Sequence, residues 1–200
     1  MTPSRLTRTY ALIDAANADD PTKVTLDGVE RPSAQVYGER MTARLAKLAP
    51  DASDILKAAA RAQHIRRFDV PRGSYPMDKP GYHAWRNALK VRHGELLAAI
   101  MRQTGWSEAE VERAGQLVRK ERIKRDPEAQ AVEDCASLVF LEFEYVDFGA
   151  KYDDDKVVDI VAKTWVKMSD TGHAQALELV PLLPERLQKL TVRAVTGTAA

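Results

Sequence analysis

Three ionisable side chains fall on predicted apolar helix faces, and a histidine borders a fourth such face. His93, Glu121 and Asp134 occupy positions where the helical period requires hydrophobic residues, and His64 lies at an apolar edge. An ionised carboxylate is rarely buried without a partner, because its desolvation is unfavourable. Three interpretations are open: ion pairs with buried arginines, a shared divalent metal, or a helix phase shifted by a few residues. Two imidazoles and two carboxylates would suit Mn, Fe, Ni, Zn or Co.

Basic side chains accompany these four residues. Residues 57–125 contain sixteen Lys and Arg against seven Asp and Glu, a local balance of +9, although the whole chain carries only +1. Such a segment suits an anionic ligand, most simply phosphate, and is also typical of solvated helix faces. We predict a small anionic, phosphorylated ligand whose oxygens are bound by Arg66, Arg67, Arg72, Arg86, Lys90 and Lys120.

Length and composition predict a single helical domain over residues 1–200, since two hundred residues suffice for a substantial core. The only cysteine, Cys135, excludes an intramolecular disulfide and suits a reducing compartment. No signal peptide or membrane span is predicted, because charged residues interrupt every apolar run. We therefore expect a cytoplasmic protein without membrane association. Nucleic-acid binding is not expected, because no recognised motif is present and the net charge is near zero.

Helical periodicity extends over most of the chain and positions the four candidate residues. An alanine-rich helix over about residues 54–70 carries His64 and ends before Pro71. The next helix, over about residues 83–103, carries His93 on its buried stripe. A capping box at Ser107 opens the helix whose apolar line reaches Glu121, and Asp126 precedes the helix that contains Asp134.

Two segments depart from this helical pattern. Residues 21–32 are the one non-helical insert, in which Asp27 and Gly28 are typical of a tight hairpin turn. Residues 71–82 contain three prolines and two glycines and are predicted to form a loop. This loop joins the helices of His64 and His93, so we expect it to border their site. The predicted fold class is all-α, with a small non-helical insert near the N-terminus.

Several motifs together resemble the family described as domain of unknown function 4202: RAQHIRRF, YPMDKPGYHAWR, VRKE, KRDPEAQAVED, LVFLE and KTWVKMS. The likeness covers nearly the whole chain, from about IDAANADDP to KMSDTGH. More distantly, the layout resembles the HD superfamily of helical, metal-dependent phosphohydrolases, which implies an HD-like core over about residues 33–170. On that resemblance His64 stands for the histidine of the His-Asp doublet, His93 for the later histidine and Asp134 for the final aspartate.

The sequence departs from the HD pattern at two places. Ile65 replaces the aspartate of the doublet. The predicted helix over about residues 33–48, where the superfamily places its first histidine, contains Glu39 and Arg40 but no histidine. Glu121 or Glu39 would then have to substitute as a ligand.

Two functions are compatible with these residues and this resemblance. The first is a metal-assisted phosphohydrolase acting on a nucleotide or another small phosphorylated metabolite. In it, His64, His93 and Asp134 would hold a Mn, Fe, Ni, Zn or Co ion that lowers the pKa of a bound water, and Glu121 would be a ligand or the general base. The alternative is a non-catalytic protein that binds an anionic metabolite in a degenerate HD-type pocket.

Overall fold

The computed structural model describes residues 3–197. These residues form ten α-helices and one two-stranded antiparallel sheet, which confirms the all-α prediction. In chain order the elements are α1 (Arg5–Asn17), β1 (Lys23–Leu26), β2 (Val29–Pro32), α2 (Ser33–Leu48), α3 (Asp54–Arg61), α4 (Lys79–Gln103), α5 (Glu108–Arg119), α6 (Pro127–Val139), α7 (Tyr145–Lys151), α8 (Asp154–Trp165), α9 (Asp170–Leu179) and α10 (Glu185–Thr196). A π-helical turn, Phe140–Glu144, lies between α6 and α7.

The described residues divide into two compact units, with the division between Val132 and Glu133. In the first unit α4 packs on α5, and α3 packs on both α5 and α2. Its core includes Ile13, Met41, Leu45, Ile65, Leu97 and Leu117. In the second unit α8 packs on α10, around Tyr145, Val157, Val161 and Leu187. The single domain expected from the length of the chain stays a prediction.

Side-chain caps fix where several helices of the first unit begin, including α1 and α5. The Ser4 hydroxyl accepts the N–H of Thr7 at the start of α1. At the start of α5, Ser107 and Glu110 form both halves of the predicted capping box. Each cap satisfies N–H groups that have no partner within the helix.

The predicted hairpin is present and contains the only β-strands in residues 3–197. Lys23 pairs with Pro32, and the strands are joined through Asp27 and Gly28, whose φ angles are 51° and 79°. Two consecutive left-handed residues produce the tight turn that matches the twist of the paired strands.

The alanine-rich helix is shorter than predicted. It ends at Arg61, not near residue 70, because His64 and Arg66 have φ angles of 63° and 48° and cannot continue a right-handed helix. Pro71 was therefore the wrong stop signal for this helix. The loop that follows α3, and not the helix itself, presents His64.

The helix that carries His93 begins earlier than predicted, at Lys79 instead of residue 83. The Asp78 carboxylate accepts the N–H of Gly81, and Pro80 occupies the first turn, where its missing N–H has no helical partner to lose.

None of the helices within residues 3–197 combines the length and the apolar character that crossing a bilayer requires.

Candidate functional site

His64 lies in the loop after α3 and faces α2. Its ring stacks on Tyr37, with ring centres 4.4 Å apart and planes inclined by 19°. The residue as a whole is half-buried, as predicted for a histidine at an apolar edge. Its left-handed backbone turns the chain out of α3, so the imidazole is held between α2 and α4.

His93 approaches His64 from α4. The ring centres are 6.0 Å apart with planes inclined by 46°, so the structure brings these two predicted site residues together. His93 is 4% exposed, which confirms its predicted burial. Within the described residues neither of its ring nitrogens has a hydrogen-bond partner. A buried polar group without a partner is unusual in a folded protein and indicates a functional site or an absent partner.

Both imidazoles are held in their neutral form. Burial lowers the pKa of His93 to about 4, with Arg67 and Arg92 acting in the same direction and the backbone of Ile65 opposing them. The pKa of His64 is also well below its usual value, first because of burial and then because of Arg67, His93, Lys120 and Arg86. Burial is the larger cause of both shifts, and the positive neighbours add to it because they disfavour the charged form of histidine.

Arg67 makes the closest of these basic contacts. Its Nη1 lies 2.9 Å from Nε2 of His64. Since a guanidinium only donates, Nε2 accepts this hydrogen bond and the ring proton belongs on Nδ1. The guanidinium also lies over the Trp85 ring, 4.6 Å from its centre, and Trp85 Nε1 donates to the carbonyl of Val70. This stacking fixes Arg67 beside His64.

Lys120 and Arg86 complete the basic surroundings from two other elements. Lys120 follows α5 with a left-handed φ of 57°, and Gln63 in the His64 loop donates to the carbonyl of Val118 nearby. Arg86 lies on α4 and donates to the Tyr82 hydroxyl over 3.2 Å. We name the five residues His64, Arg67, Arg86, His93 and Lys120 the imidazole–cation cluster. All five belong to the first unit.

The remaining predicted anion ligands are engaged elsewhere or lie beside the cluster. Arg66 forms ion pairs with Asp19 and Asp69, at 2.8 and 2.9 Å. Arg72 donates to backbone carbonyls of its own loop, including that of Pro76 at 2.6 Å. Lys90 is half-buried on α4. Arg66 and Arg72 therefore stabilise the segment between α3 and α4, which carries His64 and Arg67.

The predicted loop over residues 71–82 does border the cluster, through two aromatic residues at the start of α4. Tyr82 receives the hydrogen bond of Arg86, and the Arg72 guanidinium lies 5.8 Å from the Tyr82 ring centre. Trp85 supports Arg67 from the same helix turn. The loop therefore reaches the cluster through these aromatic–cation contacts.

Glu121 is not on a buried face, so its predicted placement was wrong. Helix α5 ends at Arg119, and the left-handed Lys120 turns the chain before the apolar line can reach residue 121. The Glu121 side chain is exposed and accepts a hydrogen bond from Nε of Arg119 at 2.6 Å. The shifted-phase interpretation is correct for this residue, and its role as ligand or general base stays a prediction.

Asp134 is buried, as its position on the apolar stripe predicted, and belongs to the second unit. Its carboxylate accepts the Ser169 N–H at 2.9 Å and the Ser169 hydroxyl at 2.5 Å. Ser169 in turn caps α9 by accepting the N–H of Gly172. Asp134 therefore stabilises the start of α9.

A resident metal ion needs several ligands that converge on one point. Within residues 3–197 no group of three or more His, Cys, Asp or Glu side chains is arranged to hold a metal ion. His64 and His93 are two ligands of the predicted set, and the Nε2 lone pair of His64 already accepts from Arg67. The divalent metal stays a prediction.

Three contributors to the site were not recognised as such in the sequence. Tyr37 and Trp85 fall on apolar stripes and read as core residues, since stacking on an imidazole or guanidinium leaves no periodic signal. Asn17, buried at the end of α1, is the third contributor. Its Oδ1 accepts the N–H of Arg66, in the loop that presents His64.

Comparison with known proteins identifies a family. The model of the domain of unknown function DUF4202 matches residues 7–191. No curated protein and no solved structure matches the chain. The family match confirms the resemblance predicted from the motifs, and the more distant likeness to the HD superfamily stays a prediction.

Proposed function

Because the chain belongs to the DUF4202 family, whose description names no activity, we propose a function from the geometry of the imidazole–cation cluster. The cluster is a binding site for a small phosphorylated ligand, and the protein binds this ligand without turning it over. One observation carries the proposal: the Arg67 guanidinium lies 2.9 Å from Nε2 of His64, beside the buried ring of His93. An anion among these groups relieves their repulsion, whereas a metal cation would add to it.

The groups of the cluster match the chemistry of a phosphate. Arg67 and Arg86 carry planar guanidinium groups that donate two parallel hydrogen bonds to phosphate oxygens, and Lys120 adds a compact charge. A neutral imidazole keeps one N–H donor. The ring nitrogens of His93 are buried beside His64 and make no hydrogen bond of normal geometry within the described residues.

Titration with inorganic phosphate and with pyrophosphate tests the proposal directly. The ring signals of His64 and His93 are followed by NMR in the full chain at constant ionic strength, with chloride and acetate as anion controls. We expect saturable shifts with the phosphates alone. The pKa of His64 should rise on binding, because the anion offsets the positive charges that lower it.

A pair of matched variants separates site binding from general charge. Arg86→Gln removes one charge of the cluster, whereas Arg102→Gln removes the same charge about 24 Å further along α4. We expect Arg86→Gln to weaken phosphate binding roughly tenfold, equivalent to about 1.4 kcal/mol, and Arg102→Gln to leave it unchanged. Equal affinities in the two variants, or shifts that do not saturate in the wild type, contradict the proposal.

A metal-dependent phosphohydrolase is the second candidate, and one observation favours it. The two nitrogens of His93 are buried and unpaired beside a second neutral imidazole, and neutral imidazole is a common ligand of transition metals. Elemental analysis of protein purified without a histidine tag, with a phosphate-release screen in added Mn, Co or Ni, tests this candidate. A bound metal that is lost in His93→Ala favours the hydrolase over the binding protein.

We also propose a small-molecule ligand and a cytoplasmic location. The cluster is confined to the two loops after α3 and α5 and one face of α4, which suits a small anion better than an extended nucleic acid. The buried Cys135 thiol suits a reducing compartment. Fractionation of cells and a binding comparison between pyrophosphate and single-stranded RNA test these two points.

A further inference from the structure

The loop that presents the cluster is held in an unfavourable backbone conformation. His64 and Arg66 both have positive φ angles, which side-chain-bearing residues adopt rarely. Such conformations persist only where surrounding contacts determine them, and they concentrate at functional sites. The residues that impose this conformation therefore control where His64 and Arg67 lie.

Asn17 fixes the backbone of this loop. It is fully buried at the end of α1, and its Oδ1 accepts the N–H of Arg66 over 2.9 Å. Its Nδ2 donates to the carbonyl of Ala34 at the start of α2 over 3.4 Å. One side chain thus joins α1, α2 and the His64 loop, so the loop cannot move independently of the two helices.

Arg66 fixes the same loop through its side chain. Nη1 donates to the carbonyl of Ala16 and to Asp19, while Nε and Nη2 both donate to Asp69. Asp69 also contacts Arg92, the residue before His93 on α4. The guanidinium is thereby neutralised and connects the end of α1 to the helix that carries the second imidazole.

We propose that Asn17 and Arg66 are positioning residues, which hold the left-handed loop so that His64 and Arg67 face the bound anion. This inference rests on the proposed function, since it concerns the same site. Arg66 was expected from the sequence to bind phosphate itself. Its contacts assign it a different task, because its donors already meet two carboxylates and a carbonyl.

The test removes each connection separately and compares the result with a destabilised control. Asn17→Ala removes the acceptor of the Arg66 N–H, and Arg66→Lys keeps the charge but cannot make the forked contact with Asp69. Thr104→Val is the control, because it breaks a buried hydroxyl network with Thr9 at the far end of α4. The readouts are the pKa of His64 by NMR, affinity for inorganic phosphate, and thermal unfolding.

We expect both loop variants to weaken phosphate binding roughly tenfold and to move the pKa of His64 toward its usual value, while Thr104→Val changes only stability. If Asn17→Ala does not fold, Arg66→Lys decides on the same readouts. An unchanged pKa and an unchanged affinity in the folded loop variants overturn the inference. If the wild type binds no phosphate, the proposed function fails, and the pKa of His64 still reports whether the loop is positioned by these residues.

Discussion

Acidification should destabilise the first unit because the buried His93 and the half-buried His64 beside it are held in their neutral form. The pKa of His93 falls from its usual 6.5 to about 4 in the folded chain, and that of His64 falls as well. Between these values the unfolded chain binds protons that the folded chain does not. The free energy of unfolding therefore decreases as the pH falls through this window, and the contribution is fully present only above about pH 6.5.

The size of the effect follows from the shift of His93. A difference of about 2.5 pKa units corresponds to about 3 kcal/mol when the pH has fallen below both values. Between about pH 7 and about pH 5, His93 alone accounts for about 2 kcal/mol of this loss. His64 acts in the same direction, so the whole chain should lose at least this amount. Paired carboxylates such as Asp126, whose pKa is about 2, titrate below this window.

Chemical denaturation in phosphate-free buffer, followed by tryptophan fluorescence, measures this loss. In a Trp165→Phe background the signal comes from Trp85 and Trp106, which both lie in the first unit. His93→Leu removes the buried titrating ring and should flatten the pH dependence by about 2 kcal/mol over the same window. His83→Gln is the matched control, because its ring is exposed on the same helix.

Two outcomes would refute this reasoning. One is a wild-type chain that is equally stable at about pH 7 and about pH 5, since that requires His93 to be protonated in the folded state. The other is a His93→Leu variant that keeps the full wild-type pH dependence. The same measurement with added inorganic phosphate also tests the proposed function. An anion that raises the pKa of His64 should reduce the decrease in the free energy of unfolding between about pH 7 and about pH 5.

Two further predictions concern contacts outside the cluster. Asp134→Ala should lower the free energy of unfolding of the second unit by about 1–3 kcal/mol, because the half-buried Ser169 N–H and hydroxyl lose their acceptor, and Asp134→Asn should lower it less. Denaturation followed by Trp165 fluorescence measures this, and equal effects of Ala and Asn would contradict it. Gly81→Ala should destabilise the start of α4, because an added Cβ would lie 2.1 Å from the Pro76 carbonyl oxygen, whereas Gly73→Ala should be nearly neutral in thermal unfolding.

The sequence predicted the fold where local chemistry determines it. The capping box at Ser107, the Asp27–Gly28 turn and the burial of His93 each depend on residues a few positions apart, and each is present. The helix ends were predicted less well. α3 ends early because of contacts such as that of Asn17 with Arg66, which join residues far apart in the chain and have no local signature.

The candidate site was predicted only in part, because local patterns again show some of its residues and not others. Periodicity identified His64 and His93 because burial of an imidazole leaves a gap in an apolar stripe, and the two rings do meet. It misplaced Glu121, because the left-handed Lys120 ends α5 one residue before the extrapolated apolar line reaches it. The basic charge of residues 57–125 also placed Arg66 among the predicted phosphate-binding residues. An arginine that binds phosphate and an arginine that binds carboxylates cannot be told apart in the sequence.

The contact between Arg67 and His64 bears directly on the choice between the two proposed functions. A metal ligand offers the lone pair of its imidazole to a cation, whereas Nε2 of His64 accepts a hydrogen bond from a guanidinium. Replacing that guanidinium by a metal ion would leave Arg86 and Lys120 as positive neighbours of the same ring. A phosphate meets no such conflict, because it can take donors from Arg67 without displacing it from Trp85. The two histidines predicted as metal ligands thus lie together in the first unit, with a guanidinium bound to one of them.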